Sequence, residues 1–320
     1  MPPDEAEHPF APYVRILGRG PGRSRALSRE EARDAFGMVL RGETDPHQTG
    51  AFLMLLRYRG EDADGMAGLV DAARAHLVQA PAPIGADLDW PSYGAGRTRG
   101  APWFLLSALA LGQAGHRVLM HGSNAHSQGI PVSDALRMLG RRPAEDGADA
   151  ARLLRETGFA YLPLASLSPA LDRLLGLRAL LGLRSPVNTV ARLLNPFDAG
   201  ASVDGVFHPP YIDLHLGTAE RLGRARLLVV KGGGGEAERN PARPTAAHLL
   251  DGAGRRELQL PPLAADRPEQ ADLLDTWRDE TAQTASVVAT IALALLALGA
   301  ASDASAADSE AARIWRARKR

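Results

Sequence analysis

Two glycine-rich segments carry the residue types that hold phosphate. Gly94-Ala-Gly96-Arg97-Thr98-Arg99-Gly100 stands just ahead of an apolar run that opens at Trp103, and Lys231-Gly-Gly233-Gly234-Gly-Glu236-Ala-Glu238 follows Arg226-Leu-Leu-Val-Val230. Glycine brings backbone N–H groups close to an anion, and a helix starting behind such a loop adds its positive end. The first segment is neither a Walker loop nor a dinucleotide fingerprint, because GK[ST] is absent and no convincing strand precedes it in the sequence. Each segment has a plainer reading, as a flexible loop and as a linker respectively. A third site candidate, His121, closes the apolar stretch Val118-Leu-Met-His121 ahead of Gly122-Ser123. No carboxylate neighbours it in sequence, so it reads as a hydrogen-bonding strand end and not as a general base.

Basic clusters supply further candidates. The tail Arg313-Ile-Trp-Arg316-Ala-Arg318-Lys319-Arg320 can lie along a phosphate backbone or form a solvated helix end. Arg15, Arg19, Arg23 and Arg25 fall in a Pro- and Gly-containing stretch that reads as an extended arm over 1–26. Only Lys231 and Lys319 among the 37 basic residues are lysine. Arginine is the better bidentate partner for phosphate and also stacks on bases.

The elements that must position these groups follow from periodicity and caps. Ser28-Arg-Glu-Glu31 has capping-box spacing and predicts a helix from about 28. Further helices are predicted over 46–59 and 62–78, giving a helical subdomain at 27–80, joined by a helix from about 132–160. From about 100, helices alternate with short apolar strands at 118–121, 159–162 and 226–230, the pattern of an α/β sheet over 81–320. The fold class is thus α/β, a small α-helical N-terminal subdomain plus a larger mixed α/β domain. Both His121 and Lys231 then stand at strand carboxyl ends, where open α/β sheets bind ligands.

Composition narrows the classes. There are no cysteines, which excludes disulfides and thiolate chemistry and points to the cytoplasm. The opening residues show no signal-peptide pattern, and the uncharged stretch 284–301 reads as a buried core helix, so no membrane partner is expected. Net charge is zero, so bulk electrostatics announce no nucleic-acid protein.

Taken together, several segments resemble the anthranilate phosphoribosyltransferase-like (glycosyltransferase family 3) superfamily. They are Leu27 through Glu61, His121-Gly-Ser-Asn-Ala-His-Ser-Gln-Gly to Gly140 against that family's KHGNRAVSSKSGSAD…LG block, and Arg178, Arg184 and Asn188 against RxxLGxRTIFN. The resemblance implies the family's two-part fold, a homodimer paired through the helical region, and a vestigial substrate site at Arg178 and Ser123. At the chemical positions the chain departs from it. The GTGGD loop aligns with Ser92-Tyr-Gly94-Ala-Gly96, NIST with Pro102-Trp-Phe-Leu105, and the magnesium-holding DE pair with Ala237-Glu238.

The stretch Asp89 to Leu106 and the Lys231 to Pro241 loop are in turn similar to the YbiB-type branch of the superfamily, which implies nucleic-acid binding in place of transfer. The reading is a non-sequence-specific protein for single-stranded DNA or RNA. No catalytic residue and no cofactor are expected. Phosphate contacts are expected from Gly94, Gly96, Arg97, Arg99, His121, Lys231, Gly233, Gly234, Arg313, Arg316, Arg318 and Lys319. Trp90, Tyr93 and Trp103 offer stacking faces, although Trp103 also suits a core. The alternative is an anthranilate or related phosphoribosyltransferase with a rearranged site, in which Glu238 holds magnesium.

Overall fold

The computed structural model describes residues 7–20, 22–78, 85–94, 100–123 and 129–320. The segment predicted as an extended arm holds a helix, α1 (Ala11–Gly18). Its entry residue Phe10 is buried edge-on against Phe52, ring centroids 5.3 Å apart. That partner lies far along the chain, so the local Pro and Gly content hides the helix. Helix α2 (Arg29–Arg41) starts at the predicted capping box, with Ser28 and Glu31 each serving the other's backbone N–H, and stops at left-handed Gly42. Asp45 and Asp62 cap α3 (Pro46–Arg59) and α4 (Ala63–Ala75). Helices α2 and α4 cross closely at Gly68, where an added Cβ would meet Arg29 O at 2.1 Å.

The rest of the chain runs β1 (Leu88–Ser92), α5 (Trp103–Gln113), β2 (Val118–Gly122), α6 (Val132–Met138), α7 (Gly147–Thr157) and β3 (Phe159–Pro163). The middle section holds α8 (Leu164–Leu167), α9 (Pro169–Gly176), α10 (Arg178–Leu181), α11 (Val187–Arg192), β4 (Ala201–Val206), α12 (Pro210–Arg221) and β5 (Leu227–Lys231). A hairpin, β6 (Thr245–Asp251) and β7 (Gly254–Leu260), and then α13 (Leu273–Arg278), α14 (Thr284–Leu298) and α15 (Ala304–Ala317) complete it. The seven strands form one sheet in the order β3-β2-β1-β4-β5-β6-β7, parallel as far as β5 and antiparallel across the hairpin.

Alternation along the strands sorts side chains onto two faces. Leu88, Trp90, Met120, Val203, Leu228 and Val230 point to a core filled by α5, α14 and α15, while Leu119, Leu162, Leu227 and Val229 join the core shared with the helical bundle. Most of α14 is buried, as the core-helix reading requires, and no helix among the described residues is long and apolar enough to cross a membrane. The helix expected to join the bundle from 132–160 packs elsewhere: α7 lies on β2, β3 and α5, whereas α9 touches α2 and α11 touches α4. The strand order reverses between β1 and β4, so the crevice of the sheet opens at their carboxyl ends.

Two outcomes test this packing. Gly68→Ala is expected to force α2 and α4 apart at a cost of about 1–3 kcal/mol, read as a lower thermal midpoint. The Arg25 guanidinium and the Ser28 N–H hold the Glu31 carboxyl at about 2 against an ordinary 4.5. A folded-state value below the unfolded one gives stability that is complete above pH 4.5 and fades as pH falls towards 2. Glu31 is partly exposed and its Arg25 partner is exposed, so solvent screens the pair and Glu31→Gln should cost about 0.5 kcal/mol at pH 7. In paired melts the gap should close near pH 2.

Candidate anion-binding cleft

A strand does precede the first glycine loop. Asp89 and Pro91 break its apolar pattern in the sequence, yet β1 is fully buried, pairs with β2 along its length and meets β4 at Leu88 and Asp89. The loop after β1 then meets the loop after β5 through Glu236, which is 2% exposed. A Cβ on Gly94 would meet Glu236 Oε1 at 2.6 Å, and one on Gly205 would strike the Glu236 carbonyl carbon at 2.1 Å. The Lys231 loop is a built turn and no linker. Gly232 N donates to Val206 O, the chain makes a 3-10 turn at Gly233–Gly235, and Gly234 and Gly235 take left-handed φ of 68° and 81°.

One guanidinium ties these loops together. Arg192, at the end of α11, donates from Nη2 to Tyr93 O at 2.7 Å and Gly235 O at 3.5 Å, and from Nη1 to Asn188 O at 3.1 Å. Burial pushes its pKa down, and the charges of Glu236 and Asp204 partly offset this. Beneath it, the Tyr93 hydroxyl and His121 Nδ1 are 2.7 Å apart, and His121 Nε2 lies 3.2 Å from Asp89 Oδ1. A carboxylate therefore does stand beside His121, brought there by the neighbouring strand where sequence adjacency shows none. The trio is buried and holds the two strand ends in register; none of it faces solvent.

Beside this junction, α3, the 178–192 segment, the end of β4 and α12 enclose a cavity of about 300 Å³. Arg57, Arg178, Arg184 and Arg192 line it together with Asn188 and Ser185. Burial, and then the like charges of Arg178, Arg192 and Arg57, lower the Arg184 pKa. Arg57 donates to the Tyr211 hydroxyl, which donates in turn to Glu61 Oε2 at 3.3 Å and so links the bundle to the α/β domain. Burial raises the Glu61 pKa, and Arg57 opposes it. His215, on the inner wall, keeps Nδ1 2.7 Å from Asp204 Oδ2. At the mouth Phe207 is 46% exposed and stacks edge-on with exposed His208, centroids 4.7 Å apart. Arg178 and Arg184 come from the sequence match. Arg57, Arg192, Phe207, His208 and Tyr211 carry no local signal, because only the tertiary fold brings them together.

The other sequence candidates scatter. Lys231 and Gly233 are exposed on the β5 loop, Gly234 is buried within it, and the Ser123 hydroxyl donates to Asp172 Oδ1 at 3.0 Å. Gly96, Arg97 and Arg99 lie outside the described residues. In the tail, Arg318 is buried, its guanidinium 3.6 Å from the Trp315 ring centroid, and it donates to the carbonyls of Trp277, Trp315 and Asp279. Arg313 is paired with Glu310, while Arg316 and Lys319 remain exposed. The tail is thus a clamped helix end with only part of its charge presented to solvent. Two expected stacking faces are corrected as well, Trp90 and Tyr93 being core residues, and Trp103 takes the core place that its sequence also suits. Apolar neighbours on both sides of the sheet claim them, and Phe207 supplies the exposed ring.

The residues at the second loop do not fit magnesium, which needs several oxygen ligands held in near-octahedral array. Glu238 Oε2 accepts from Phe104 N at 3.2 Å, so that carboxylate faces the first turn of α5. Ala237 is fully buried, and the Arg192 charge acts on Glu236. The carboxylate stands where a helix N-terminus would otherwise receive a ligand anion.

Comparison with known proteins agrees with this fold. Residues 11–77 match the model "Glycosyl transferase family, helical bundle domain", and residues 104–265 match "Glycosyl transferase family, a/b domain". The chain is 33% identical over 248 residues, 77% of its length and 72% of the relative's, to an anthranilate phosphoribosyltransferase of Methylobacterium nodulans. It is 29% identical over 253 residues, 78% of each protein, to the uncharacterized protein YbiB of Escherichia coli K12. Among solved structures, anthranilate phosphoribosyltransferase from Thermus thermophilus superposes with a TM-score of 0.78 at 23% identity, covering 97% of this chain and 94% of that one. The Saccharomyces cerevisiae enzyme in complex with PRPP and Mg gives 0.73 at 16%, covering 96% and 93%.

Glu238→Ala is expected to lower stability by about 0.3–1 kcal/mol, since the first turn of α5 loses a charged acceptor. It should also open that turn to an added anion. In a thermal-shift series with inorganic diphosphate, the variant should gain more than the parent protein. Equal shifts would mean that the carboxylate does not exclude the ligand.

Proposed function

The chain belongs to the glycosyl transferase family whose helical bundle and a/b domains it carries in that order, and on that premise we propose that its arginine cleft binds nucleic acid without transferring phosphoribose. Single strands are favoured and sequence preference is weak. The observation that carries this reading is the convergence of Arg57, Arg178, Arg184 and Arg192 on one cavity whose mouth presents Phe207 and His208. Guanidinium groups pair with phosphate oxygens, and an exposed ring stacks any base regardless of identity. Two features weigh against transfer: Ala237 stands where the family's magnesium-holding pair has a carboxylate, and the retained Glu238 carboxylate is turned to the first turn of α5. Exposed Arg316 and Lys319 offer a second, weaker contact along the backbone. A cytoplasmic homodimer paired through the helical bundle completes the reading; Tyr58, 90% exposed on α3, is an apolar surface suited to such pairing.

A second reading has specific support. Arg178, Arg184 and Asn188 line the same cavity, and the anthranilate phosphoribosyltransferases named above favour transfer of phosphoribose to an aromatic carboxylate. Its test is direct: anthranilate fluorescence should decay when phosphoribosyl diphosphate and magnesium are added. A rate no faster than the protein-free control removes it.

For the leading reading, fluorescence anisotropy with a labelled single strand should show affinity falling roughly tenfold or more between about 50 and 200 mM salt. Arg57→Ala combined with Arg178→Ala should weaken binding by about tenfold or more, and Arg316→Ala with Lys319→Ala by less. Binding indifferent to salt and to the cleft variants would sink the proposal.

A further inference from the structure

The arginine cavity has two unlike ends. Its inner wall is made of Arg192, Asn188, Thr189, Val206 and His215, all buried, and its mouth of exposed residues, among them Leu183 and Phe207. A strand threading the cavity would need an exit as well as an entrance, and among the described residues the buried wall offers none. The volume, about 300 Å³, is at the lower limit of sites for small organic ligands and suits a single nucleotide.

Charge adds to the shape argument. An internal phosphodiester brings one negative charge and two unbridged oxygens, whereas a terminal phosphomonoester brings about 1.5–2 charges and three acceptor oxygens. Four guanidinium groups that line one cavity favour the larger charge, with Glu236 and Asp204 offsetting part of that on Arg192.

We propose that this cavity is an end-binding pocket, which takes the terminal phosphomonoester of a single strand among Arg57, Arg178, Arg184 and Arg192 and sets the terminal base against Phe207 and His208. The inference rests on the nucleic-acid reading and narrows it from strands in general to strand ends. The rest of the strand leaves across the mouth, past the exposed ring.

The test uses the full chain and oligonucleotides of one sequence, labelled on an internal base and ending in a 5′-phosphate, a 3′-phosphate or hydroxyls only. One phosphorylated end is expected to bind on the order of tenfold tighter than the hydroxyl form, and circular single-stranded DNA should compete no better than that form. Arg178→Gln and Arg184→Gln should each bring the ratio of phosphorylated to hydroxyl affinity within about twofold of one. A free nucleoside monophosphate that binds as tightly as the phosphorylated strand would overturn the strand-end assignment and make the pocket a nucleotide site. Tight binding with no preference among the ends, or a preference unchanged in both variants, would overturn the pocket while leaving nucleic-acid binding standing. Failure of every oligonucleotide to bind would overturn the reading beneath it.

Discussion

The cleft depends on one buried cation. Arg192 reaches from the end of α11 to the backbone of the loops after β1 and β5, and it has Glu236 and Asp204 as its electrostatic counterweights. A buried guanidinium is tolerable only when its donors are met and opposite charge is near. Both conditions are supplied here by loops that the arginine itself holds in place. Glycine at 94, 205 and 232 follows from the same constraint, since a side chain at any of them would collide with Glu236. The site is therefore a locked junction of three strand ends, with the arginine cavity beside it.

The fold itself stands apart from that junction. The sheet, its reversal between β1 and β4, and the two cores are set by strand alternation and helix burial, none of which involves the loop chemistry. Where an anion would meet the first turn of α5, the chain places its own Glu238.

Local rules made some elements legible in the sequence and left others hidden. Ser28 and Glu31 announce α2 because a capping box is complete within four residues, and Leu227 to Val230 announce β5 because every residue is apolar. β1 is hidden by Asp89 and Pro91, whose burial makes sense only once His121 and the adjacent strands are in place. The tail misleads in the opposite way: Arg318 reads as a phosphate ligand until Trp315 and Trp277 claim its face. The arginine cavity lies beyond local rules altogether, because Arg57 and Tyr211 meet across 154 residues of chain.

The pairing of β1 with β4 has a consequence for how the molecule is made. Asp89 and Ser202 are 113 residues apart and face each other at the centre of the sheet. Closing so long a loop costs entropy before any contact repays it, and parallel pairings of this kind slow folding. The crevice opens beside that seam, so it is complete only once β1 and β4 have paired. A ligand held there would therefore favour the finished sheet over any state in which the two strands are still apart.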